Sequence, residues 1–101
     1  MNKENLPIER QISELIKSAK CTFKLCSTML NVVGINNVSI LNYNKGDFGK
    51  WNTKYSGCVQ LTVAYEISNS TKQSNYGIEG YVKIEDNTVI DIDKMVSVYQ
   101  R

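Results

Sequence analysis

The sequence predicts an α+β domain, one long N-terminal helix packed on a four-stranded antiparallel β-sheet, and a change of period along the chain is what predicts it. In the first third, Ile8, Ile12, Leu15, Ala19, Phe23, Cys26, Leu30 and Val33 recur at spacings of three and four, the repeat of one helical face. From Gly57 onward the period falls to two, the signature of strands with one buried face. Helix first and strands after gives a sheet whose apolar face the helix closes. With 101 residues, near the commonest domain size, the chain supports one core. It is read as a single domain over 1–101, with a helix over 7–33 and an antiparallel sheet over 37–99.

The helix start is marked by Asn5 or Leu6 as cap, by Pro7 where a missing N–H costs nothing, and by Glu9 in the first turn. Lys17, Lys20 and Lys24 lie off the apolar stripe, and Gly34 is a natural left-handed stop. A helix of that length is long for a globular domain, so a break is expected near Lys20–Thr22. Leu25, Met29 and Val32 add a second apolar side, which calls for a second packing surface such as another protomer.

A first strand is read over Val38–Tyr43, with either Val38 and Ile40 or Ser39, Leu41 and Tyr43 facing in. In the second, Val59, Leu61, Val63, Tyr65 and Ile67 share one face, with Cys58, Gln60, Thr62, Ala64 and Glu66 on the other. The polar stretch Ser68–Asn75 reads as a connector. Ile78, Gly80, Val82 and Ile84 then alternate with Glu79, Tyr81, Lys83 and Glu85, and a last strand runs from about Val89 to Tyr99. A one-residue shift of register sends every side chain to the opposite face. Matching faces across the final hairpin therefore demands an odd loop, Asp86-Asn87-Thr88, or an equivalent bulge. It would pair Ile84 with Ile90, Lys83 with Asp91 and Val82 with Ile92, and would give Asn87 a positive φ. Lys94 would fall on the apolar face, which argues for a bulge near Asp93 or for fraying there.

Composition narrows the chemistry. A hydrophobic content of 42% with 22% charged residues describes an ordinary globular chain, and a net charge of +2 is too small for long-range attraction to nucleic acid or anionic lipid. The polar Met1–Asn5 leader lacks a signal peptide's apolar core, and no run approaches the length of a membrane span. Three cysteines, Cys21, Cys26 and Cys58, cannot all pair, which suggests thiols in a reducing compartment. The cytoplasm is the expected location. Abundant Asn, Lys and Ile suggest an AT-rich source such as a low-GC bacterium, its phage or another mobile element.

The segment Asn44–Ser56 carries the candidate site. It holds Phe48, Trp51 (the chain's one tryptophan) and Tyr55, interleaved with Lys45, Lys50 and Lys54. Rings give contact area at low entropic cost and lysines steer acidic surfaces, so these six residues are the candidate partner-binding set. The same mixture suits base stacking on single-stranded nucleic acid. The alternative is that Trp51 and Phe48 fold back over an open end of the core. Other features carry less. Asp47-Phe48-Gly49 spells the kinase metal-binding tripeptide in a chain too short for a kinase. Asp91 and Asp93 share a strand face, where two carboxylates could hold a hard cation, but solvated charges with Asp91 paired to Lys83 are the preferred reading. Cys21 and Cys26 lack zinc spacing, and with no histidine the Ser/His and Cys/His nucleophile systems are excluded. Glu66, Asp47 and Tyr65 are the only sensible bases left. No catalytic residue, cofactor or metal site is nominated.

A long helix followed by a four-stranded meander resembles the cystatin-like and NTF2-like group of folds in element order. The Gln-x-Val-x-Gly hairpin loop of protease-inhibiting cystatins occurs in neither Asn44–Ser56 nor Ser68–Asn75, so that activity does not follow from the resemblance. The function read from the sequence is a small non-enzymatic cytosolic protein-binding module. Its suggested role is a phage- or mobile-element-encoded inhibitor of a bacterial defence complex of the CRISPR type. A homodimer is expected as a further association, and no membrane contact. The alternatives are an NTF2-like small-ligand or weakly catalytic pocket between helix and sheet, and single-stranded nucleic-acid binding through the aromatic-basic segment.

Overall fold

A computed structural model describes residues 6–65, 67 and 69–100. The leader Met1–Asn5 with the candidate cap Asn5, the candidate base Glu66, and Ser68 lie outside the described residues. The chain forms one short helix, α1 (Ile8–Ser18), and seven strands: β1 (Thr22–Leu25), β2 (Thr28–Met29), β3 (Val32–Phe48), β4 (Trp51–Ala64), β5 (Thr71–Glu85), β6 (Thr88–Ile92) and β7 (Met95–Gln100). They make one sheet in the order β2-β1-β7-β5-β4-β3, with β6 on β5. The expected architecture of a long helix on a four-stranded meander is therefore corrected to a mostly β protein with one three-turn helix.

The helix stops where the expected break was placed, and it does not resume. Lys20 at φ 43 and Cys26 at φ 57 turn the chain, and Thr22–Leu25 becomes a strand lying parallel to β7. Phe23, read as part of the helical stripe, packs in register with Val96 and is 2% exposed. A parallel partner some seventy residues away thus overrides a local pattern that reads equally well as helix. Leu25 is half-buried in β1, Met29 is exposed in β2 and Val32 opens β3, so the helical face expected to need a second protomer does not exist. At the other end Pro7 is itself the cap residue, its carbonyl accepting from the N–H groups of Arg10 and Gln11.

The segment 44–56 is likewise not a loop. β3 and β4 form a long hairpin closed by Gly49-Lys50, with Gly49 at φ 73, the pattern of a type II′ turn. Bulges punctuate β3, and the one between Ile40 and Asn42 settles its facing: Val38 and Ile40 point in before it, Tyr43 turns inward after it, and Leu41 is left 64% exposed. In the β5–β6 hairpin, Val82 pairs with Ile92 and Lys83 with Asp91 as expected, and Asn87 has φ 62. The extra residue is taken by a bulge at Ile90 instead of by the turn. Ile84 thus pairs with Val89 across a two-residue Asp86-Asn87 connection. Asp93 and Lys94 interrupt the last strand and divide it into β6 and β7.

The core lies between the helix and one sheet face. Ile8, Ile12 and Ile16 meet Val38, Tyr55, Leu61, Ile78, Val82 and Val96 from the strands. Gln11 is buried with them and fully used. Its Nε2 donates to the carbonyls of Leu6 and Asn87 at 2.9 and 3.1 Å, and its Oε1 accepts the Val89 N–H at 2.9 Å, which locks the helix to the β5–β6 turn. With Ile12, Ile16, Tyr55 and Val82 wholly buried, the helix–sheet interface is packed side chain against side chain, not opened as a ligand pocket.

Candidate functional site

Two surfaces stand at opposite ends of a molecule 47 Å long. The first is the tip of the β3–β4 hairpin, where the six sequence-nominated residues fall. Phe48 lies against Tyr81 with ring centroids 5.1 Å apart, and a side chain at Gly46 would collide with its ring. Trp51 is half-buried under the ammonium of Lys50, 4.5 Å from the ring centroid. Lys54 pairs with Glu79 at 3.6 Å. Tyr55 is wholly buried, its ring laid on Gly80 in the core, which removes it from any contact set. Lys45 and Lys50 are exposed. The tip thus spends most of its aromatic surface on its own neighbours. Asn52 ties it to β5: its carboxamide donates to the Ile84 carbonyl and accepts the Ile84 N–H, both at 2.9 Å. A side chain there continues the ladder that the backbones leave after Thr53 and Val82.

The second surface is an apolar cleft at the far end of the sheet, enclosing about 720 Å³. Its floor is the core face of β4 and β5, where Val63 and Tyr76 are buried and Lys72 and Ser74 follow in register. Met29 of β2 and Leu30 of the β2–β3 connection form one wall, and Tyr65 and Ile67 from the β4–β5 connection form the other. Backbone bonds hold both walls: Leu30 N–H to the Phe23 carbonyl at 3.0 Å, Ala64 N–H to that of Asn31 at 2.9 Å, and Tyr65 N–H to that of Ser70 at 3.0 Å. The cleft exists because the helix ends before reaching this part of the sheet. Lys72 is the one charge among the described lining residues.

The remaining candidates are dispersed. Asp47 sits at the hairpin tip and Tyr65 beside the cleft, separated by the length of β4, roughly 45 Å at about 3.3 Å per residue. They cannot share a reaction centre. The Asp91 carboxylate accepts the Ile92 N–H and that of Asp93 the Met95 N–H, so both carboxylates shape the break between β6 and β7. Burial raises the pKa of the Cys21 thiol, with Lys94 opposing and Asp93 adding to it. Burial likewise drives the Tyr55 phenol well above its ordinary range, with Cys21 and Asp93 adding to the effect. Both groups are held neutral, and neither opens onto the cleft. Among the described residues no three metal-ligating side chains gather, and no helix is long and apolar enough to cross a membrane.

Sequence reasoning missed the cleft because one wall of it, Thr28 to Asn31, comes from residues assigned to a helix. The signal that could have found it is Tyr65 and Ile67, two large apolar residues next to a wholly polar stretch. Comparison with family models, with curated proteins and with solved structures finds no match.

Proposed function

We propose that the protein is a non-catalytic module that binds another protein through the apolar cleft. One observation carries this reading: Met29, Tyr65 and Ile67 stand around a single cleft with exposures of 52, 46 and 100%. Contiguous apolar surface of this kind marks a contact that something covers. The cleft is an open trough, whereas small-molecule sites enclose most of their ligand, so it suits the side chains of a partner laid along it. Thr28, Asn31, Lys72, Ser74 and Gln100 supply the polar rim such interfaces carry. Chain size and composition support the further assignment of that partner to a bacterial defence complex, which the module would inhibit by occupancy.

The test is affinity capture from the native host with wild-type protein and three variants. Ile67→Asp and Met29→Asp place a charge on exposed positions and are expected to abolish capture with thermal stability unchanged. Trp51→Ala is expected to lose about 1–2 kcal/mol of stability and keep its partner. The reverse pattern, capture lost with Trp51 and kept with Ile67, transfers the contact to the hairpin tip and refutes the cleft.

A further inference from the structure

The sheet face opposite the core carries an unusual surface in its middle. The register sets two rows across it: Asn37, Gln60 and Asn75 on β3, β4 and β5, and Ser39, Cys58 and Gly77 on the same strands. Tyr99 of β7 pairs with Gly77 and lays its ring over it, so closely that a Cβ at Gly77 would stand 2.1 Å from the ring. Tyr99 as a whole remains 46% exposed. Next to it is a depression of about 410 Å³ lined by Asn37, Ser39, Cys58, Val59, Gln60 and Asn75. Thr62, bonded by Asn36 at 2.8 Å, and Gln73 continue the row beyond.

Two properties set this patch apart from an ordinary solvated sheet face. Asn is a poor strand former, yet Asn36, Asn37 and Asn75 occupy strands that end up central or long. A compositional bias toward AT-rich codons does not account for that, because lysine shares the bias and the rows from Ser39 to Gln73 hold none. On this face Lys54 and Glu79 neutralise each other in an ion pair, and Lys24 stands in register with Ser97 on the far side of β7. Residues that break a local rule in one cluster are a mark of function.

The chemistry selects a ligand class. Asn37, Gln60 and Asn75 each offer a carbonyl acceptor and two N–H donors in a fixed plane. Nucleic acid requires cations, a metal requires carboxylates or thiolates, and an apolar partner requires apolar surface. A neutral saccharide requires what is here: paired donors and acceptors for vicinal hydroxyls, and an aromatic face for the C–H side of a pyranose ring. The four strands β3, β4, β5 and β7 span about 14 Å at about 4.8 Å per spacing, the reach of a short oligosaccharide. We infer that this face is a binding site for a neutral oligosaccharide, seated on Tyr99 and read by the carboxamides of Asn37, Gln60 and Asn75. It is independent of the cleft.

The experiment is a nitrogen-15 NMR titration of the whole protein with a panel of neutral oligosaccharides: β-glucan, α-glucan, mannan, galactan and chitin fragments. At least one is expected to bind saturably, to shift the side-chain amides of Asn37, Gln60 and Asn75, and to bind equally at low and high salt. Gln60→Val and Asn75→Val install better strand formers, so folding is expected to hold or improve while affinity falls about tenfold for each lost bidentate contact. Tyr99→Phe keeps the ring and is expected to keep binding. The proposal is overturned if no panel sugar moves these amides, if the valine variants bind as well as wild type, or if the amides shift with protein concentration alone, which assigns the face to a second copy.

Discussion

At Tyr55 two physical demands conflict, because its ring fills the centre of the core while its hydroxyl finds no hydrogen-bond partner among the described residues. The ring has a reason to stay: Gly80 leaves the space it occupies, and a Cβ at that glycine would stand 2.5 Å from the hydroxyl. An unsatisfied buried hydroxyl costs free energy, so Tyr55→Phe is expected to leave stability unchanged or raise it by about 1 kcal/mol at neutral pH. The same site sets an alkaline limit. Folding raises the pKa of both Tyr55 and Cys21, so the native state holds those protons more tightly than the unfolded chain. Their stabilising contribution is complete below the unfolded values, about 8.5 for a thiol and 10 for a phenol, and is lost progressively as pH rises above them. Thermal melts are expected to decline from about pH 8.5 upward, and a Tyr55→Phe, Cys21→Ala variant to show a shallower decline. An identical decline in the variant would place the alkaline sensitivity elsewhere.

At the scale of elements, the long hairpins hold the sheet and single side chains decide where they stop. Gly57 lets β3 and β4 approach so closely that a Cβ there would stand 2.1 Å from the Ser39 carbonyl oxygen. Asn52 extends β4 along β5 after backbone pairing has ended. Asn52→Ala removes three hydrogen bonds, one of them from the buried Thr53 hydroxyl, and strands a backbone donor and acceptor, a loss of about 1–3 kcal/mol. Hydrogen exchange is expected to speed up at Ile84 before it does at Leu61. Equal acceleration at both would mean that the hairpin tip and the sheet centre open as one unit. The bulges of β3 also serve the sheet edge, since β3 has no neighbour beyond it and an interrupted ladder resists pairing with another chain.

The whole molecule is tied together by a contact between its two ends of sequence. β1 inserts beside β7, and Phe23 seats against Val96 at the heart of that parallel pair. Phe23→Ala is expected to cost about 3–5 kcal/mol, a large share of the 5–15 kcal/mol that holds a domain folded. Denaturant melts should show the loss as a lower midpoint with one cooperative transition. A second transition would show that β1 and the helix unfold apart from the rest. Placing the cleft and the hairpin tip at opposite ends of the long axis also keeps the two surfaces energetically separate, so charge at Ile67 and truncation at Trp51 should act additively.

The alternation of β4 from Gly57 and of β5 from Ile78, the inward set Val59, Leu61, Val63, Ile78 and Val82, the register of Val82 with Ile92, and the positive φ of Asn87 were legible in the residues, because each depends on period two and on turn chemistry within a few positions, whereas Thr71–Asn75, read as part of a polar connector, is strand paired with β4. The first two turns of the helix were legible for the same reason. The fate of residues 19–33 was not, since spacings of three and four there also fit two short strands joined by turns. Only the distant β7 could choose between them, by burying Phe23 in a parallel ladder. The candidate site divides in the same way. The aromatic-basic cluster was visible as a run, but whether its rings face solvent depended on Tyr81, Gly80 and the bulges of β3, and the cleft arose from where the helix stopped. Local preferences of the chain set period and turns; contacts between residues far apart in sequence decided which surfaces were left uncovered.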